Sequence, residues 1–78
     1  MSQAKIEKFA RMANQIGDFY AVQSPDQGAA GVATHIRKFW TPKMIAETLA
    51  AVTAGNIKLN ETAAGGFAIL RKESASAA

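Results

Sequence analysis

The chain has 78 residues, 49% of them hydrophobic, yet 17 of its 38 apolar side chains are alanine, which leaves 21 larger ones for a single small core. Cysteine is absent and there is one histidine, so disulfides, thiolate metal sites and cysteine nucleophiles are excluded, and zinc would have to rest almost wholly on carboxylates. A formal charge of +3 permits an acidic partner or nucleic acid without demanding either, and a chain this short is marginal alone unless a partner helps.

The large apolar residues Ile6, Phe9, Met12, Ile16, Phe19 and Tyr20 recur at spacings of three and four, which predicts one face of a helix over Lys5 to Tyr20. Lys8, Arg11, Gln15 and Asp18 gather opposite, while Ala10, Ala13 and Gly17 widen the apolar half with residues small enough to admit a second backbone. Ser24-Pro25-Asp26-Gln27 then reads as a helix start, with serine at the N-cap, proline at the first helical position and glutamine closing a capping box. In this second helix Ala29, Val32, Ala33, Ile36, Phe39 and Trp40 fall within roughly 120° of one another, with His35 at the edge of the stripe.

Thr41-Pro42 repeats the capping device for a third helix, and the proline forces the residue before it out of helical conformation, so a sharp corner follows Trp40. Met44, Ile45, Thr48, Leu49 and Val52 form the inward stripe, and Gly55-Asn56 is the stop. Asn60 is a candidate cap for a later segment with Ala63, Phe67 and Leu70 on one face. Gly65-Gly66 in its middle carry a propensity cost of about 2 kcal/mol, so the segment is expected to need a partner to order it. Glu73 to Ala78 is a Ser/Ala-rich tail expected to be disordered. The expected fold class is all-α, a small bundle of three to four helices with a poorly ordered C-terminal tail. Its organisation is a three-helix body over 1–55, a segment over 56–72 with room for a short fourth helix, and the tail over 73–78.

Catalytic chemistry finds little to work with. A nucleophile needs a base within hydrogen-bond reach, but the serines are Ser2, Ser24, Ser74 and Ser76, three of them in terminal segments and one read as a cap. The carboxylates are scattered, and Gly28-Ala29-Ala30-Gly31 lacks the ending of a phosphate-binding loop. No catalytic, cofactor-binding or metal-ligating residue is therefore expected. The N-terminal residues Lys5, Glu7, Lys8 and Arg11 interrupt any signal-peptide core, and no stretch is long enough to span a membrane, so a cytoplasmic location is expected.

The densest feature is His35-Ile36-Arg37-Lys38-Phe39-Trp40-Thr41-Pro42-Lys43, where basic residues interleave with aromatics around a rigid corner. Helical phase places Phe39 and Trp40 on the buried stripe and Lys38 opposite, which favours core packing, with some of Trp40 and Arg37 left as protein-interface anchors. A row of aromatics and lysines also suits single-stranded nucleic acid, the rival reading.

Two strings carry a family resemblance: Arg11-Met12-Ala13-Asn14-Gln15-Ile16-Gly17-Asp18-Phe19 and His35-Ile36-Arg37-Lys38-Phe39-Trp40-Thr41-Pro42-Lys43-Met44. Together they resemble the delta subunit of the soluble, NAD-dependent, molybdenum-containing formate dehydrogenases of bacteria, over Lys5 to Val52. Members resembling this one carry a further leucine-rich amphipathic segment where Gly65-Gly66 interrupts here.

The resemblance implies a small accessory subunit that carries no cofactor and binds the catalytic alpha subunit. That subunit holds bis-molybdopterin guanine dinucleotide and iron–sulfur clusters, and the beta and gamma subunits carry FMN and further clusters. On this expectation the chain aids assembly or stability of the complex that oxidises formate to carbon dioxide with reduction of NAD, and does no chemistry itself. The expected partner interface is Asn14, Gln15, Gly17 and Asp18 from the first string, with His35, Arg37, Trp40 and Pro42 from the second. Neither nucleic acid nor membrane is expected as a partner. The alternative is a small basic nucleic-acid-binding or regulatory helical protein using Arg37, Lys38, Lys43 and Trp40; an enzyme acting through His35 and Asp18 is the third.

Overall fold

A computed structural model describes residues 3–24 and 26–77, with side chains through Ser74. Four helices follow one another, α1 (Gln3–Gln23), α2 (Gly28–Phe39), α3 (Pro42–Ala54) and α4 (Glu61–Ala77), and no strand occurs among the described residues. The fold is all-α, as the apolar periodicity predicts.

Local chemistry sets most of the boundaries. Thr41 caps α3, its hydroxyl accepting from the Met44 N–H at 3.1 Å, with Pro42 at the first helical position. The helix ends at Gly55, whose φ of 76° is the left-handed conformation that glycine adopts without steric cost. There the Asn56 N–H donates to the Ala51 carbonyl and the Gly55 N–H to that of Val52, which satisfies two otherwise unpaired acceptors. Asn60 caps α4 as predicted, its side-chain oxygen accepting from the Ala63 N–H at 2.8 Å.

The start of α2 differs from expectation. Ser24 finishes α1: its N–H donates to the Tyr20 carbonyl at 2.9 Å, and its own carbonyl accepts from the Gln27 N–H at 3.0 Å. The helix begins at Gly28, with Gln27 at the N-cap and no side-chain cap bond, so the capping box does not form; Pro25 lies outside the described residues. The reason is tertiary. Gly28 is packed against both α4 and α1, where a Cβ would stand 2.8 Å from Thr62 Cγ2 and 3.3 Å from the Tyr20 carbonyl oxygen, and the helix starts at that close approach.

The core is built mainly from α1, α2 and α4, with Ala51 contributed by α3. Trp40 is its centre, with ring centroids 5.7 Å from Phe9 and 5.8 Å from Phe67, so that one indole joins three helices. Val32, Ala33, Ile36, Ala13 and Ala63 fill the space around it. Two large aromatics of the predicted stripes are exposed: Phe19 is 57% exposed and Phe39 71% exposed. Both sit at stripe edges, and no other helix covers those edges; α1 turns its small residues Ala10, Ala13 and Gly17 inward instead.

The fourth segment is a regular helix, and the two glycines explain it. The most extensive helix contact in the molecule is between α2 and α4. A Cβ at Gly66 would fall 2.7 Å from the Val32 Cβ and 3.2 Å from the Ala29 carbonyl oxygen, so the low propensity of glycine is offset by a backbone approach that no other residue allows. The helix continues to Ala77; Glu73, inside the segment expected as a tail over 73–78, is paired with Arg37, and the side chains of 75–78 lie outside those described. By contrast, α3 makes its main helix contact with α1.

Gly66→Ala should therefore lower stability even though it gains helix propensity. Overpacking of this kind costs about 1–3 kcal/mol against roughly 1 kcal/mol gained. Urea unfolding followed by circular dichroism is expected to show a lower midpoint for Gly66→Ala and little change for the exposed Ala68→Gly beyond its propensity cost.

Candidate protein-docking site

Three surfaces include the residues singled out by sequence, and each has a different fate. The first is an amide network that fastens the α3–α4 connection to α1. The Asn60 backbone N–H donates to Asn14 Oδ1 at 2.7 Å, and the Asn60 Nδ2 donates to the Asn14 carbonyl at 2.9 Å and to Asp18 Oδ1 at 3.1 Å. Asn14 Nδ2 in turn donates to the Lys58 carbonyl at 3.2 Å. Between Asn14 and Asp18, Gly17 lies directly beneath the cap: a Cβ there would collide with Asn60 Oδ1 and stand 2.9 Å from the Ala63 nitrogen. Positions 14, 17 and 18 share one edge of α1 by helical phase, and together they form a seat for Asn60.

The second surface is an aromatic groove on the α1–α2 pair. Phe19, Tyr20, His35 and Phe39 form a chain of rings with successive centroids 5.1, 6.2 and 4.8 Å apart. Two adjoining hollows, of about 290 and 430 Å³, run along it; Gln15, Ile16 and His35 line both, Phe19 closes one end, and Phe39 and Met44 the other. Val22, 80% exposed, lies one turn beyond Phe19.

The third is a cleft of about 580 Å³ between α3 and α4, with Pro42, Ile45 and Leu49 on one wall and Leu70 on the other. Arg37 and Glu73 close its end in a two-pronged ion pair, both carboxylate oxygens 2.7 Å from Arg37 Nη2. Both side chains are about half exposed, so the pair contributes at most about 1 kcal/mol.

The eight residues expected at a partner interface are thus not gathered on one surface. Asn14, Gly17 and Asp18 are engaged with Asn60, and Trp40 is buried between Phe9 and Phe67. Gln15 and His35 line the aromatic groove, while Arg37 and Pro42 line the α3–α4 cleft. Sequence reasoning missed the exposure of Phe19 and Phe39, and it gave Asn60 only the role of a cap. The available signal was the position of Phe39 beside His35 and Lys38 at a helix end, where a stripe loses its cover. Among the described residues no group of three or more His, Asp or Glu gathers as a metal site, and no helix is long and apolar enough to cross a membrane.

The sequence model of the NADH-dependent formate dehydrogenase delta subunit family, FdsD, matches residues 8–65, most of the chain. The chain belongs to the FdsD family. No curated protein and no solved structure matches it. The FdsD match spans Asn14, Gly17, Asp18 and Asn60, so both halves of the amide network lie inside it, as do all the residues of the aromatic groove.

The network predicts a graded response. Asn60→Ala removes the α4 cap and two amide donations, and should lower stability by about 1–3 kcal/mol in urea titration. Asn60→Asp keeps a capping oxygen, loses the donor and sets a second carboxylate beside Asp18, so it should recover only part of that loss.

Proposed function

We propose that this chain is a non-catalytic accessory subunit of an NAD-dependent formate dehydrogenase. It binds the molybdenum-containing catalytic alpha subunit in the cytoplasm and aids the assembly or stability of the complex. The alpha subunit supplies bis-molybdopterin guanine dinucleotide and iron–sulfur clusters, the beta and gamma subunits supply FMN and further clusters, and formate is oxidised to carbon dioxide as NAD is reduced.

Family membership supports the complex, and one observation of this structure carries the docking role: large aromatic side chains remain uncovered on an otherwise filled bundle. Phe39 and Phe19 are more than half exposed while smaller apolar residues around them are buried. Covering side chains of this size contributes about 1.5–3 kcal/mol each, which a partner surface provides and water does not. The enzymatic alternative loses its pair, because Asp18 accepts from Asn60 while His35 packs against Tyr20 and Phe39. For nucleic acid, Trp40 is enclosed by two rings and Arg37 is held by Glu73, so two of the four residues invoked are otherwise engaged.

Tagged chain mixed with the catalytic subunit under assembly conditions is expected to be recovered with it on affinity capture and gel filtration; separate elution of the two would refute the proposal. Fluorescence anisotropy with single- and double-stranded probes at low salt is expected to show weak binding or none. Tight binding that falls steeply with added salt would favour the nucleic-acid reading instead.

A further inference from the structure

Resting on the accessory-subunit reading, we infer that the aromatic groove between α1 and α2 receives an amphipathic helix of the partner subunit, apolar where it meets Phe19 and Phe39 and acidic along its edges. The shape follows from the way α4 is held. It occupies one side of the α1–α2 pair, meeting Asn14 and Gly17 on α1 and Ala29 and Val32 on α2. The groove is made by other residues of the same two helices, Gln15, Ile16 and Phe19 on α1 and His35 and Phe39 on α2. On α1, helical phase sets them on the side away from Asn14 and Gly17; on α2, His35 and Phe39 lie one and two turns beyond Val32, towards the end of the helix. Apolar side chains at 12, 16 and 19, and ring side chains at 35 and 39, repeat at the spacing of three and four that forms the ridges against which a helix packs.

Charge selects the occupant. Lys8 stands one turn before Met12, Lys38 one turn after His35, and Lys43 next to Met44, and all three are exposed. No acidic residue lines either hollow of the groove. Of the carboxylates on α1 and α3, Glu47 pairs with Lys5, Asp18 accepts from Asn60, and Glu7 lines a separate hollow with Arg11 and Lys58. A two-fold dimer through this groove would set the same lysines against one another, which argues against a second copy of the chain. Stacked nucleic acid is also disfavoured. Two of the three successive ring pairs are turned edge to face, at 89° and 66°, and the third is tilted at 43°, so no neighbouring pair presents parallel faces to successive bases. An apolar floor with a cationic rim complements an acid-edged helix.

Carbodiimide cross-linking of the complex between this chain and the catalytic subunit tests the assignment, because it joins lysines only to carboxylates in contact. Links from Lys8, Lys38 or Lys43 to aspartates and glutamates within one helical segment of the partner are expected. Phe39→Asp should weaken the complex at least about tenfold while leaving the circular dichroism and unfolding midpoint of the chain unchanged, and Phe39→Leu should largely restore binding. A complex that forms with undiminished affinity in Phe39→Asp, or that links only through Lys58 or Lys72, overturns the groove and leaves the accessory role standing. Links between two copies of this chain, or loss of the partner links on adding a single-stranded oligonucleotide, overturn the choice of occupant. Absence of any complex with the wild-type chain overturns both this inference and the reading on which it rests.

Discussion

The close approach of α4 to α2 is the constraint from which the rest of the structure follows. With hydrogen where other residues carry Cβ, Gly66 lets the two backbones come together over Val32, and this brings Phe67 under Trp40 and Ala63 against α1. The scarcity of large apolar residues then stops being a weakness. Alanines and glycines make thin helix faces, thin faces allow short interhelical distances, and a single indole can reach three helices at once.

That arrangement also decides which polar residues are left for other work. Asn14, Gly17 and Asp18 look, as a string, like a recognition motif, and they are one; the segment they recognise is the chain's own connection to α4. By holding Asn60, they fix where α4 begins and so where Gly65 and Gly66 meet α2. What remains uncommitted is the groove lined by Gln15 and His35, where Phe19 and Phe39 stay exposed. The edge of α1 that holds Asn60 and the edge that lines the groove are thus separate.

How much was legible in the sequence depends on how local the governing interaction is. The Thr41-Pro42 corner and the Gly55 stop are decided within a few residues, and both occur where the sequence places them. The Ser24 cap fails at a turn where Gly28 packs against Thr62 and Tyr20, contacts between different helices. Phe39 has the correct phase to be buried, but phase gives only a direction; whether anything lies in that direction depends on the placement of α3 and α4. Gly65 and Gly66 mislead for a similar reason, since propensity scales price the isolated helix and omit the neighbour that makes glycine the residue that fits. At the site, His35 was legible as a residue at the edge of its stripe and Gln15 only as part of the polar face, while the pairing of Asn14 with Asn60 joins positions too far apart in sequence for any periodicity to connect.

The position of α4 in the chain order has a consequence for how the molecule is made. Trp40, Val32 and Ala13 emerge from the ribosome well before Ala63, Phe67 and Leu70, which complete their surroundings. Until then α1–α3 have no Asn60 for Asn14 to hold and no ring beneath the indole. The most extensive helix contact, that of α2 with α4, waits on residues not yet synthesised, so the nascent chain lacks a large part of its packing until α4 is made. A product lacking α4 would present the same rings on an α1–α2 pair that has lost the helix packed against both of its members.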